Sequence, residues 1–121
     1  MKTIIAGSRT ITNINILQEA LKEIDWKITE IVCGKAKGVD YLGEVYARDF
    51  GIPIKYFPAN WNLYGKSAGP IRNKQMAEYA DAAIIIWDGI SKGSLNMIKT
   101  AEKLGLKIYI KNLLKEKGEA S

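Results

Sequence analysis

Histidine is absent from the 121 residues, and cysteine occurs only once. The lack of histidine excludes Cys–His and Ser–His–Asp catalysis and disfavours a zinc site. Cys33 cannot form an intrachain disulfide, and its place at the end of the apolar run 31–33 predicts a buried thiol rather than a nucleophile. No apolar stretch approaches membrane-spanning length, and residues 1–6 do not resemble a signal peptide. We therefore expect a cytoplasmic protein without a membrane partner.

The length and composition predict one domain with its own core. Apolar residues make up 47% of the chain, enough for a core that needs no disulfides. We place the domain at residues 1–111 and a charged C-terminal tail, either a short helix or frayed, at 112–121. The net charge of +5 is compatible with a nucleic acid, with an anionic small ligand, or with solubility alone.

Apolar runs and helical spacings alternate along the chain. Strands are predicted at 2–6, 29–33, 54–57, 82–87 and 107–110, and helices at about 13–24, 39–50, 70–80 and 93–104. Residues 58–69 are predicted to be an irregular loop, with Pro70 as the first residue of the next helix. This alternation favours an α/β fold with a mostly parallel sheet covered by helices on both faces.

Glycine, small polar residues and a cation follow four of the five predicted strands. Right-handed crossovers bring these loops to the carboxyl edge of the sheet, where open α/β sheets bind ligands. Glycine allows close backbone approach, and helix starts and cations attract anions. The sequence therefore predicts a pocket for a phosphate-bearing ligand. The candidate ligand-binding residues are Gly7, Ser8, Arg9, Gly34, Lys35, Ala36, Gly38, Asp40, Trp61, Lys66, Gly69, Arg72, Asn73, Asp88, Gly89, Ser91, Gly93 and Ser94.

The segment from Gly34 to Gly38 has two interpretations. It is either a cradle whose amides face a phosphate or an ordinary strand-to-helix turn, and it matches neither the Walker A nor the GxGxxG pattern. Asp40 could accept hydrogen bonds from ribose hydroxyl groups or stabilise the first turn of its helix.

Two arginines and two aromatic residues are further candidates with open alternatives. Arg9 could bind a phosphate or be an ordinary surface residue, and Arg72, in the first turn of its helix, could reach the same anion as the helix dipole. Trp61 and Tyr64 could stack on a base or anchor their loop to the domain. Asn73 could hydrogen-bond a sugar or a base, or be a solvated helix residue.

Four segments together resemble a known family. They read GSRT, VCGKAKGVD, FPANWNLYGKSAGPIRNKQM and ADAAIIIWDGISKGSLNMI. Residues 1–110 are similar to the small DUF2493 (YspA-like) family of the SLOG superfamily, with GxAKGVD and AGPxRNxxM as the most specific motifs. The resemblance implies a Rossmann-like three-layer sandwich with strand order 3-2-1-4-5. It also implies a nucleotide or nucleotide-derived ligand and self-association into a homo-oligomer. We predict no cofactor and assign no metal-binding residue.

The same resemblance bears on catalysis. LOG-type phosphoribohydrolases of the superfamily carry a PGGxGTxxE segment and an arginine that Arg72 would match. Met97 stands where the glutamate of that segment would be, and a thioether cannot act as a general base. An enzyme of this kind would need Asp40 or Asp88 for proton transfer, with Arg72 stabilising the charge of the transition state.

Three functions therefore remain open from the sequence. The first is binding, by sensing or sequestration, of a phosphorylated nucleotide derivative such as an ADP-ribose-like or cyclic nucleotide. The second is a nucleotide-processing enzyme that cleaves an N-glycosidic or phosphate bond. The third, less favoured, is single-stranded nucleic-acid binding through Trp61, Tyr64 and the lysines.

Overall fold

The computed structural model describes residues 1–113 as a five-stranded sheet between two helical layers. All four strand pairings are parallel, in the order β3-β2-β1-β4-β5. The strands are β1 (Lys2–Gly7), β2 (Glu30–Cys33), β3 (Ile54–Tyr56), β4 (Ala82–Trp87) and β5 (Lys107–Asn112). The helices are α1 (Ile14–Glu23), α2 (Val39–Phe50), α3 (Trp61–Tyr64), α4 (Ala68–Tyr79) and α5 (Lys92–Lys103).

Alternate residues of the central strands feed two separate cores. Ile5, Ile84 and Ile86 pack with α1 and α2 on one face of the sheet. Ile4 and Ile85 pack with α4 and α5 on the other. Burial on both faces explains why the strands read as continuous apolar runs. The predicted fold class and strand order are confirmed.

Helix ends follow local sequence signals. The side chain of Asn13 accepts a hydrogen bond from the Asn15 amide at the start of α1, and Gly51 ends α2 in the left-handed conformation (φ 66°). Among residues 1–113, no helix combines the length and the apolar character needed to cross a membrane.

Three predicted boundaries need correction. Residues 58–69 are not irregular throughout, because the Asn60 side chain caps α3 by accepting from the Leu63 amide, and a 3₁₀ turn (Gly65–Ser67) follows. Helix α4 begins at Ala68, so Pro70 is its third residue rather than its first. Strand β5 runs to Asn112, two residues past its predicted end, while the rest of the proposed tail, 114–121, lies outside the described residues.

The chain reverses its direction of strand addition between β1 and β4. After β1 it adds β2 and β3 on one side, and then returns to place β4 on the other. The helices that follow β1 and β4 therefore pack on opposite faces of the sheet, which leaves a crevice at the carboxyl edge. Gly7 ends β1 at this point, where a Cβ would lie 2.1 Å from the carbonyl oxygen of Ile86.

Candidate functional site

A cleft of about 490 Å³ lies at this crevice, and we call it the rim cleft. Its walls come from the loops after β1, β2 and β4 and from α3, α4 and α5. The lining residues are Ala6, Gly7, Arg9, Thr10, Ala36, Asp40, Trp61, Lys66, Gly69, Pro70, Arg72, Asn73, Met76, Asp88, Ser91, Lys92, Gly93, Ser94, Asn96 and Met97.

Most of the predicted site residues meet in the rim cleft. Those that line it are Gly7, Arg9, Ala36, Asp40, Trp61, Lys66, Gly69, Arg72, Asn73, Asp88, Ser91, Gly93 and Ser94. Gly34 and Lys35 line an adjoining cleft. Ser8, Gly38 and Gly89 line neither of these two clefts.

Ser8 and Gly38 hold the loops together beneath the site. The Ser8 hydroxyl accepts a hydrogen bond from the Asp88 amide at 3.0 Å, which joins the loops after β1 and β4. Gly38 caps α2 with φ 75°, and a Cβ there would lie 2.3 Å from the Ser8 carbonyl oxygen. Both residues thus shape the site without lining it.

Arg72 and Asn73 tie α4 to the loop after β2 and to α5. Arg72 donates from Nη1 to the Gly34 carbonyl at 2.6 Å and from Nε to the Asn73 side-chain oxygen at 3.1 Å. Asn73, which is buried, donates in turn to the Asn96 side chain at 2.9 Å and to the Gly93 carbonyl at 3.4 Å. Asn73 is therefore not the solvated helix residue that was one of its two interpretations.

Asp40 lies beneath the loop from Gly34 to Gly38 and is 4% exposed. Its carboxylate accepts the Gly34 amide at 3.1 Å. Burial raises the pKa of Asp40 to about 6, against the lowering effects of Arg72 and of the amides of Gly34, Ala36 and Gly7. The amides proposed to cradle a phosphate thus face a carboxylate of the protein itself.

Asp88 has the opposite environment. Its Oδ1 accepts the amides of Ile90 and Ser91, both at 2.8 Å. These amides hold the pKa of Asp88 below its ordinary value, so the carboxylate stays ionised and shapes the turn before α5.

The N-termini of α4 and α5 both reach the rim cleft without an acidic residue in the first turn. Ser67 at the start of α4 makes no side-chain capping bond, whereas the Ser91 hydroxyl caps α5 by accepting the Ser94 amide. The positive ends of both helix dipoles are therefore uncompensated by carboxylates of their own helices.

Cations outnumber carboxylates along the rim cleft. Four cationic side chains, Arg9, Lys66, Arg72 and Lys92, face two carboxylates, Asp40 and Asp88. Burial lowers the pKa of Arg72, and the carboxylate of Asp40 opposes this lowering. The guanidinium group of Arg9 lowers the pKa of Arg72 further, because the two positive charges repel each other. A bound anion would relieve that repulsion.

The floor and one wall of the rim cleft are apolar. Met76 and Met97 are each 1% exposed and form the floor. Trp61 is half exposed and lies beside Gly69, where a Cβ would be 3.6 Å from the indole. Tyr64, the other predicted stacking residue, is exposed but lines neither the rim cleft nor the two clefts that adjoin it.

A second cleft of about 380 Å³ adjoins the first, and we call it the lysine cleft. Its lining residues are Arg9, Gly34, Lys35, Ala36, Lys37, Pro58, Ala59, Trp61 and Arg72. A third cleft, lined by residues 58–62, lies beyond Trp61 and has no charged lining residue.

Three polar lining residues were missed from the sequence. Lys92 and Asn96 are four residues apart on α5, so they share one face of the helix, and both reach the rim cleft. Lys92 could have been predicted, because it precedes Gly93 at the start of a helix that follows a buried strand. Thr10 follows Arg9 in the loop after β1 and had no distinguishing signal of its own.

Comparisons with known proteins agree with this architecture. The family model described as "YspA, cpYpsA-related SLOG family" matches residues 1–64, slightly more than half of the chain. DNA processing protein A (DprA) from Streptococcus pneumoniae matches with a TM-score of 0.73 at 17% identity. That match covers 90% of this chain and 49% of that one, so this chain spans about half of the DprA length. At this identity the likeness supports the fold alone, and no curated protein matches.

Proposed function

Because this chain belongs to the YspA, cpYpsA-related SLOG family, we propose that it binds a phosphorylated, nucleotide-derived ligand in the rim cleft. The observation that carries the proposal is the meeting of Arg9 and Arg72 with the N-termini of α4 and α5, whose first turns contain no acidic residue. The cleft volume of about 490 Å³ is that of a small-molecule site.

The remaining walls suit the rest of a nucleotide. Trp61 offers an exposed aromatic face on which a base can stack. Asn96 and Ser91 supply donors and acceptors for a ribose or a base edge. The buried thioethers of Met76 and Met97 provide an apolar floor.

Binding without turnover is favoured by the same geometry. Met97 brings no proton-transfer group to the floor, and Asp88 is held ionised by two amides. The output of the domain would then be retention of the ligand or a signal to a partner.

The test is isothermal titration calorimetry with the four nucleoside monophosphates, ADP-ribose and cyclic nucleotides. Replacement of Arg9 and Lys92 by glutamine should weaken binding about tenfold or more, because two charge-assisted contacts are lost. The absence of binding by every probe at millimolar concentration would contradict the proposal.

One observation favours an enzyme as a second candidate. Asp40 lines the rim cleft and has a pKa raised to about 6, a value suited to proton transfer near neutrality. Chromatography after incubation with nucleoside monophosphates would detect products, and Asp40→Asn should abolish them. If the substrate stays intact after long incubation, the enzyme candidate is rejected and only the binding function stands.

A further inference from the structure

The rim cleft and the lysine cleft form one groove. They share Arg9, Ala36, Trp61 and Arg72, so a ligand can pass from one to the other without leaving the protein surface. The two volumes, about 490 and 380 Å³, each fall in the range that holds a small-molecule group.

The lysine cleft is more strongly cationic than the rim cleft. Arg9, Lys35, Lys37 and Arg72 line it, and no carboxylate does. Lys35 and Lys37 are exposed, so a ligand can reach both ammonium groups. The end of the groove farther from α5 therefore attracts an anionic group of its own.

The positive lining is short. Beyond Trp61, the cleft formed by residues 58–62 has no charged lining residue. The cations thus line the rim cleft and the lysine cleft but not this third cleft, so in this direction the charge suits two phosphate-bearing units and no more.

We propose that the ligand is of dinucleotide size, with one phosphate in the rim cleft, a second in the lysine cleft and Trp61 between the two units. This inference rests on the proposed function and specifies its ligand class. Arg9 and Arg72, at the shared wall, lie within the path that joins the two units.

Calorimetry should compare AMP, the linear 5′-phosphorylated diadenylate and a single-stranded octaadenylate, with the guanine series run in parallel. The dinucleotide should bind at least about tenfold more tightly than the mononucleotide of the same base, equivalent to 1.4 kcal/mol. The octamer should gain nothing further per site, because the charged lining ends.

A double variant, Lys35→Gln with Lys37→Gln, should weaken dinucleotide binding about tenfold and leave mononucleotide binding within about twofold. The matched control is Lys22→Gln with Lys27→Gln, which removes the same charge near the amino edge of the sheet, at the end of α1 and before β2. It should change neither affinity by more than about twofold.

The outcomes separate the two proposals. Equal affinity for mononucleotide and dinucleotide, or equal weakening of both by the lysine variant, overturns the dinucleotide inference and leaves the rim cleft as a nucleotide site. A steady gain with strand length and a steep salt dependence indicate a single-stranded nucleic-acid interface, which also overturns it. If no probe binds at all, the proposed function fails as well.

Discussion

The loops after β2 and β4 have similar composition but opposite structures. Each follows a buried strand and, counted through the first two residues of the next helix, contains two glycines, at least one lysine and small residues. In the first, Gly34 is enclosed by Arg72 and Asp40, and a Cβ would lie 2.2 Å from Arg72 Nη1. In the second, a Cβ at Gly93 would meet no atom within 4 Å. One loop is closed around a side chain of the protein, and the other opens onto the cleft.

The difference follows from where the carboxylate of each loop lies in the chain. Helix α2 carries Asp40 in its first turn, whereas α5 has no acidic residue there. The Asp40 carboxylate turns back to the Gly34 amide and so provides the anion that this loop favours. Asp88 also accepts two amides of the second loop, those of Ile90 and Ser91, but it precedes α5 and leaves Gly93 open. A glycine-rich loop next to a helix start therefore indicates an anion site only when no carboxylate of the following helix turns back into the loop.

The largest expected effect is on stability as a function of pH, through Asp40. Its carboxyl has a pKa of about 6 in the folded chain against an unfolded reference of 3.8, so the folded state binds more protons between these values. The stability from this group is full below about pH 4 and is lost as the pH rises through about 6, a change of about 3 kcal/mol. Urea unfolding from about pH 4 to 7.5 measures it.

The Asp40→Asn variant isolates this group from the other carboxyls. The free energy of unfolding of the original chain minus that of the variant should fall as the pH rises across this range. A difference that stays constant with pH would mean that Asp40 is not enclosed, and the contrast between the two loops would disappear.

The next effect concerns the two glycines. Gly34→Ala should cost about 2 kcal/mol, because the new methyl group displaces Arg72 from the Gly34 carbonyl and separates it from Asp40. Gly93→Ala is the matched control and should change the free energy of unfolding by less than about 0.5 kcal/mol, since its site is open. Equal costs would show that both loops are closed.

Much of the fold could be predicted because its signals are local or periodic. The apolar run from Ala82 to Trp87 predicts a buried strand, which the structure has. Gly51 predicts the end of α2, because glycine readily adopts the left-handed conformation found there. The failure at 58–69 has a physical cause. A four-residue helix carries too little periodicity to detect, and its start depends on one capping bond from Asn60.

Most residues that line the rim cleft could be predicted as a set, but their arrangement could not. Parallel strands bring the loops to one edge whatever the side chains do, which is why Arg9, Arg72 and Ser94 meet in the rim cleft. The sequence could not show that Asn73 would be buried between Arg72 and Asn96, because that contact depends on how α4 and α5 pack.

A smaller effect is expected at the start of the open loop's helix. Ser91→Ala removes the hydroxyl that accepts the Ser94 amide and should cost about 1 kcal/mol of stability. It should also weaken binding of ADP-ribose severalfold, because the start of α5 becomes less ordered. Asn13→Ala removes the equivalent cap of α1, away from the cleft, and should cost similar stability without changing affinity. An unchanged affinity in the Ser91 variant would mean that the start of α5 does not contribute to ligand binding.

The smallest expected effect is on ligand affinity, through the attraction between Asp40 and Arg72. Burial lowers the pKa of Arg72, and Asp40 opposes this lowering by attracting the guanidinium charge. Asp40→Asn should therefore free that charge for a ligand in the rim cleft. ADP-ribose affinity at about pH 7.5 should rise about threefold, and the original chain should approach the variant's affinity as the pH falls through about 6. Calorimetry with ADP-ribose suits this test, because its pyrophosphate keeps its charge over the range. A variant that binds more weakly would mean that Asp40 itself holds the ligand, and the closed loop would then be part of the binding surface.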